Sequence, residues 1–161
     1  MRARFTSTSG HLETSDDPPS SSLELVVATV SIVYGSTSCD LRAAEQLDVA
    51  RHPTATLRAT STSWAGGLAR FRGWLTIVGV TNEVTVDVDL RGTSADPSGA
   101  PRSMFSGALS IDRESWGLSW NVTLADGQAL VERIVEIEFE LEAGLQPAPS
   151  APSTSSDTAR H

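Results

Sequence analysis

Two stretches of the chain alternate without a fault. In "VTVDVDL", Val84, Val86, Val88 and Leu90 point one way, while Thr85, Asp87 and Asp89 point the other. In "VEIEFEL", Val135, Ile137, Phe139 and Leu141 oppose Glu136, Glu138 and Glu140. A period of two over that length suits an extended strand with one dry face and one wet face, and it spreads apolar groups all round a helix. The chain must therefore bury one side of each strand. The question is whether those inward faces meet only each other or something that is not protein.

The rest of the sequence reads the same way. "ARFTSTSGHL" is a weak strand ahead of the turn-rich "TSDDPPSSS". "SLELVVATVSIV" is a strong one, with Leu23, Leu25 and Val27 on one face. "CDLRAAEQLDVA" is rich in helix formers, with Asp40 placed to cap a short helix that ends before Pro53. "TATLRATSTSW" alternates again, and "AGG" turns the chain. "ARFRGWLTIVG" sets Phe71, Leu75 and Ile77 on one face and Trp74 on the other. "VTNE" then reads as a turn and "GTSADPSGAPRS" as a long loop. "MFSGALSID" aligns Phe105, Leu109 and Ile111, and the last strand covers 131–142. Roughly seven or eight short strands with one short helix indicate an all-β, antiparallel sandwich or barrel. Gly73 and Gly107 interrupt two inward rows, leaving room inside or serving curvature. The Pro- and Ser-rich 145–161 reads as a disordered tail, so residues 1–144 form the domain.

Composition excludes several functions. The net charge is −8, and all 12 basic residues are Arg, scattered along the chain. An acidic chain of this kind is a poor binder of phosphate backbones, so nucleic acid is not expected as a partner. Cys39 is alone and forms no internal disulfide. No apolar run approaches the ~18 residues of a membrane span, and "MRARFTSTSGHLETSDDPP" lacks the hydrophobic core of a signal peptide. As the sequence stands, the product is expected in the cytoplasm.

Catalytic chemistry has little support. His11, His52 and His161 lie far apart in the chain, and no Cys or His spacing suggests zinc, so neither metal nor cofactor is expected. The Ser residues have no nucleophile elbow around them. Glu136, Glu138, Glu140 and Glu142 share one strand face, but at ~6.5–7 Å intervals they form a solvated stripe and not a calcium or acid–base site. Trp116 and Trp120 either plug one end of the β-core or line the mouth of a cavity.

Four stretches, in order and spacing, resemble the YceI family of lipocalin-like bacterial proteins. They are "LDVARHPTATLRATS", "FRGWLTIVGVTNEVTVDVDLRG", "DPSGAPRSMFSGALSIDRESWGLSWN" and "LVERIVEIEFELEA". The resemblance covers roughly residues 2–143. Leu57 and Trp116 stand where the family pattern has Phe, Asp40 where it has His, and Gln46 where it has an aromatic. The family's opening strand and lead, roughly two dozen residues, are missing ahead of "RARF". Unpaired edges are then expected near Ala3–Leu12 and on 131–142, making the barrel open-sided or dimeric through those edges. A start further upstream would supply the strand, and could add a signal peptide that moves the protein outside the cytoplasm.

The resemblance implies an antiparallel barrel around an apolar channel that binds isoprenoid lipids or isoprenoid quinones, without catalysis. Combined with the alternation, it assigns the channel lining to Leu75 and Ile77, Val86 and Val88, Phe105 and Leu109, and Ile137 and Phe139, with Trp116 and Trp120 nearer one end. Two rivals remain: an interaction domain with a filled core, and an enzyme that uses the barrel as a reaction vessel.

Overall fold

The computed structural model describes residues 3–13, 21–34 and 40–144. Cys39, the stretch 14–20 expected as a loop and the stretch 145–161 expected as a tail lie outside the described residues.

The strands are Ala3–Phe5 (β1), Thr8–Glu13 (β2), Ser22–Ala28 (β3), Ile32–Tyr34 (β4), Thr54–Ala65 (β5), Leu68–Ile77 (β6), Val80–Ala95 (β7), Pro101–Asp112 (β8) and Ile134–Gly144 (β9). Seven of them form one antiparallel sheet in the order β2-β3-β5-β6-β7-β8-β9, curled into a nearly closed barrel. β1 pairs with β4 in a small separate sheet. Within the large sheet the strands follow chain order with β4 left out, and short turns link β5 to β6, β6 to β7 and β7 to β8. Gly66 and Gly67 join β5 to β6 with φ of 61° and 85°, a conformation free of cost to glycine alone.

The register stacks the inward rows. Leu57 faces Leu75, and Phe71 faces Val86. Leu109 faces Ile137, and Phe105 faces Leu141. The core runs from Leu23 and Leu25 through Leu57, Phe71 and Val86 to Leu109 and Ile111. Within it Phe71 and Val86 have no exposure at all. Trp74 stands on the outer wall, 56% exposed.

Three local expectations are corrected. Residues 40–51 run as successive turns and form no α-helix. The N–H of Ala43 bonds to Asp40 O and that of Gln46 to Ala43 O, while Leu47 N–H reaches back to Leu41 O. Asp48 takes a φ of 42°, which stops helical propagation. This path buries Leu41 and brings Leu47 onto the core, so tertiary packing overrides helix propensity. Asp40 still caps, accepting the Arg42 N–H at 3.0 Å, but it caps a turn. The turn placed at "VTNE" is instead Val78–Gly79, and 80–83 already belong to β7. The long loop at 92–103 is mostly strand. Thr93 pairs with Ser103 and Ser94 with Arg102, which leaves a connection of 96–100.

The sheet has two ends. β2 is bonded on one side to β3, and β9 on one side to β8. No helix among the described residues is long and apolar enough to cross a membrane.

Candidate functional site

The candidate site is the barrel interior and its two ends. Leu75, Val86, Val88, Phe105, Leu109 and Trp116 lie in the buried core, and Ile77, Ile137 and Phe139 pack against it half-buried. β9 contributes the whole row Val135, Ile137, Phe139, Leu141 and Ala143, all partly buried. The cause is topological, since among the described residues no strand is bonded to the far side of β9.

The two inward glycines have separate roles. A Cβ at Gly73 would run into the carbonyl oxygen of Arg58 and the Cα of Ala59, so that glycine permits close backbone approach between β5 and β6. A Cβ at Gly107 would run into the ring of Phe139. The space that Gly107 leaves is therefore filled by a neighbouring side chain.

Polar groups enter the interior at few places. Ser61 continues the inward row of Leu57 and Ala59 and is buried. Among the described residues its Oγ finds no hydrogen-bond partner, although its N–H donates to Ser21 O at 2.8 Å. Just past the end of β8, the Trp116 indole N–H donates to Leu75 O at 3.0 Å. Arg113, 5% exposed, closes that end. Its guanidinium donates to the carbonyls of Leu118, Trp120 (2.7 Å) and Glu132 (2.9 Å) and lies 5.4 Å from the Trp120 ring centroid. Trp120 is half-buried there, and its Nε1 has no partner among the described residues. Trp116 thus belongs to the core itself, and Trp120 to the plug beneath it.

Ser61 and Arg113 were absent from the sequence-based lining, yet both had a signal. Each falls in phase with an inward run, Leu57–Ala59–Ser61 and Phe105–Gly107–Leu109–Ile111–Arg113, extended by one step. Among the described residues, the inner rows of the sheet carry no carboxylate, and no group of three or more His, Cys, Asp or Glu is placed to hold a metal ion.

Titratable groups with displaced pKa values sit outside the barrel. The Tyr34 phenol donates to Asp40 at 2.8 Å, which pushes the phenol up and the carboxyl down. Arg70 beside Asp87 and Arg133 beside Asp112 hold those carboxyls below the usual carboxylate range. All are solvent-facing cross-links between segments.

A YceI-like domain model matches residues 1–143. The chain belongs to the YceI family. Among curated relatives, a UPF0312 protein of Pseudomonas paraeruginosa is 29% identical over 124 residues, covering 76% of this chain and 64% of the relative. Protein YceI of Salmonella arizonae is 31% identical over the same shares. The chain thus matches just under two thirds of the length of these relatives. Among solved structures, a Campylobacter jejuni YCEI protein superposes with a TM-score of 0.69 at 18% identity, covering 90% of this chain and 85% of that one. Burkholderia cenocepacia BcnA gives 0.69 at 22% identity, covering 88% and 86%. These two likenesses establish the barrel fold. The apolar inward rows form the buried core of this barrel, and Arg113 packs with Trp120 just past the end of β8.

Proposed function

We propose that this YceI-family barrel binds a long-chain isoprenoid lipid or isoprenoid quinone, as a carrier or store, and performs no catalysis on it. The family is known for binding polyisoprenoids. The observation that carries the reading for this chain is the half-covered inner row of β9, continuous with an apolar interior whose strand rows carry no carboxylate among the described residues. An isoprenoid chain laid along Ile137 and Phe139 leaves water and gains about 25 cal/mol per Å² of apolar surface buried. The buried hydroxyl of Ser61 is a polar contact available to a head group. An enzyme would need converging acid, base or nucleophile, and among the described residues the inner rows offer Ser61, level with Phe71 in the middle of the core, and Arg113, just past the end of β8.

A second reading, an interaction domain with a filled core, draws on the enclosure of Phe71 and Val86 and on the Phe139 ring over Gly107. One experiment separates the two. The protein is purified without detergent, extracted with organic solvent for mass spectrometry, and then titrated with an isoprenoid quinone and a short-chain analogue. Co-purified lipid, or binding that strengthens with chain length, supports the carrier. Clean extracts with equally weak binding of both compounds support the filled core.

A further inference from the structure

The ladder between β7 and β8 stops short. It runs from Ala95↔Pro101 to Asp87↔Ala108 and makes no further rung among the described residues. On their other sides the same two strands stay paired, β7 with β6 down to Ile77↔Val80 and β8 with β9 down to Asp112↔Ile134. Continuing the β7–β8 register would set Val86 against Leu109, Thr85 against Ser110, Val84 against Ile111 and Glu83 against Asp112. Those facing stretches part instead. Two adjoining clefts of about 300 and 500 Å³ lie between them, with Thr85 and Ser110 in the lining of both.

The floor of this seam is core. Val84, Ile111 and Trp116 line the larger cleft and Leu109 the smaller, and all four belong to the buried cluster. Three rim carboxylates are drawn aside by arginines: Glu83 by Arg72 at 2.6 Å, Asp87 by Arg70 at 2.7 Å and Asp112 by Arg133 at 2.7 Å. Glu136 and Glu138 flank the smaller cleft from β9. At the foot of the seam, two hydrogen bonds tie the turn Arg113–Trp116 to the neighbouring strands. Asn82 Nδ2 donates to Ser115 O at 2.9 Å, and the Trp116 indole to Leu75 O at 3.0 Å.

We propose that the β7–β8 seam is the portal through which an isoprenoid chain enters the barrel from the side, with the Asn82–Ser115 bond and the Trp116 indole as its latch. The inference rests on the lipid reading above. At the other bonded junctions of the sheet, parting two strands breaks a ladder, as along the whole of β6 against β7 and the whole of β9 against β8. Across the seam no rung has to break over four residues of each strand, so among the bonded junctions the wall opens there at least cost. Four residues of strand span ~13 Å. The slot is thus elongated and suits a linear chain lying along the strands. Side entry lets a long chain seat without threading end-on.

The test introduces Thr85→Cys and Ser110→Cys in a Cys39→Ser background, where no other thiol remains, and bridges the pair with a short bis-alkylating reagent. The control bridges Thr93→Cys to Ser103→Cys, opposite each other in the paired part of the same two strands. Uptake of an isoprenoid quinone is followed by stopped-flow quenching of tryptophan emission, with each unbridged double variant as its own reference. Bridging residues 85 and 110 should slow uptake about tenfold or more and leave the Kd within about twofold, because it blocks the route and not the seat. Bridging residues 93 and 103 should leave the rate unchanged. Asn82→Ala, which removes one arm of the latch, should speed uptake by about threefold or more. An unchanged rate after bridging 85 and 110, equal slowing by both bridges, or no gain from Asn82→Ala would each overturn the portal and leave the carrier reading standing. A parent protein that takes up no quinone overturns both.

Discussion

The ring of Phe139 occupies the space where a side chain on Gly107 would lie, directly across the β8–β9 register. The pair behaves as one large residue shared between two strands. Gly107→Ala should therefore push the ring aside and cost about 1–3 kcal/mol, the usual penalty of overpacking. The same change in a Phe139→Leu background should cost clearly less, because the obstacle is then gone. Gly73→Ala is a different case. The groups in its way are the Arg58 carbonyl and the Ala59 Cα, which cannot rotate away, so its cost should exceed that of Gly107→Ala. Urea unfolding of the four variants measures both statements, and equal costs for Gly107→Ala in the two backgrounds would contradict the first.

The phase of β9 makes a second expectation. Phe139→Asp places a carboxylate on the inner row without a partner and removes a large apolar group, so the loss should reach about 3 kcal/mol or more. Glu138→Gln alters one exposed group with no ion pair among the described residues and should stay within about 0.5 kcal/mol. Denaturant midpoints decide it. If Glu138→Gln were the more damaging of the two, the inward assignment of β9 would fail.

These residues also show what the sequence could and could not reveal. Faultless alternation made the inner faces of β7 and β9 readable, because a period of two admits one choice of buried side once the other is charged. It could not reveal how far the strands run. The loop-like "GTSADPSGAPRS" is mostly ladder, since Thr93 and Ser94 find cross-strand partners that no local count of turn formers detects. The helix formers at 40–51 were misleading for a similar reason. Their path is set by burying Leu41 and Leu47, a demand of the finished barrel. Arg113 was legible only by continuing the β8 alternation past its last apolar residue, where a charged residue argues against the inward position it takes.

Acid should loosen the outer wall. Asp87 accepts two hydrogen bonds from Arg70, at 2.7 and 3.0 Å, and Asp112 two from Arg133, at 2.9 and 2.7 Å. Both carboxyls are held below the ordinary range, each chiefly by its Arg. A depressed folded-state value means stability that is fully present above the unfolded value, about 4, and is lost as pH falls through the folded one. The melting temperature should accordingly hold from neutral pH down to about pH 5 and decline below about pH 4. The decline should be shallow, since these pairs are solvent-exposed and screened. Asp87→Asn and Asp112→Asn should flatten it. Asn variants that keep the parent's full acid slope would assign the effect to other groups.

Arg113 carries the most specific expectation about the closed end. Its guanidinium is buried without a carboxylate partner among the described residues, and its charge is met by the carbonyl dipoles of Leu118, Trp120 and Glu132 and by the Trp120 ring. Those carbonyls belong to two separate segments, 118–120 and 132, so one side chain ties both to the end of β8. The work is done by the planar fork, which aims several N–H groups in fixed directions, more than by the charge. Arg113→Met removes charge and donors together and leaves the carbonyls unsatisfied, for a loss of about 2–4 kcal/mol. Arg113→Lys keeps the charge but presents a single ammonium that cannot span the same acceptors, so it should recover less than about half of that loss. Both variants should change tryptophan emission, because the Trp120 ring loses its covering guanidinium. Hydrogen exchange should quicken at Gly117 and Leu118, whose N–H groups bond to Glu114 O and Arg113 O. If Arg113→Lys unfolds at the parent's urea midpoint, charge alone holds this end together and the fork is not the cause.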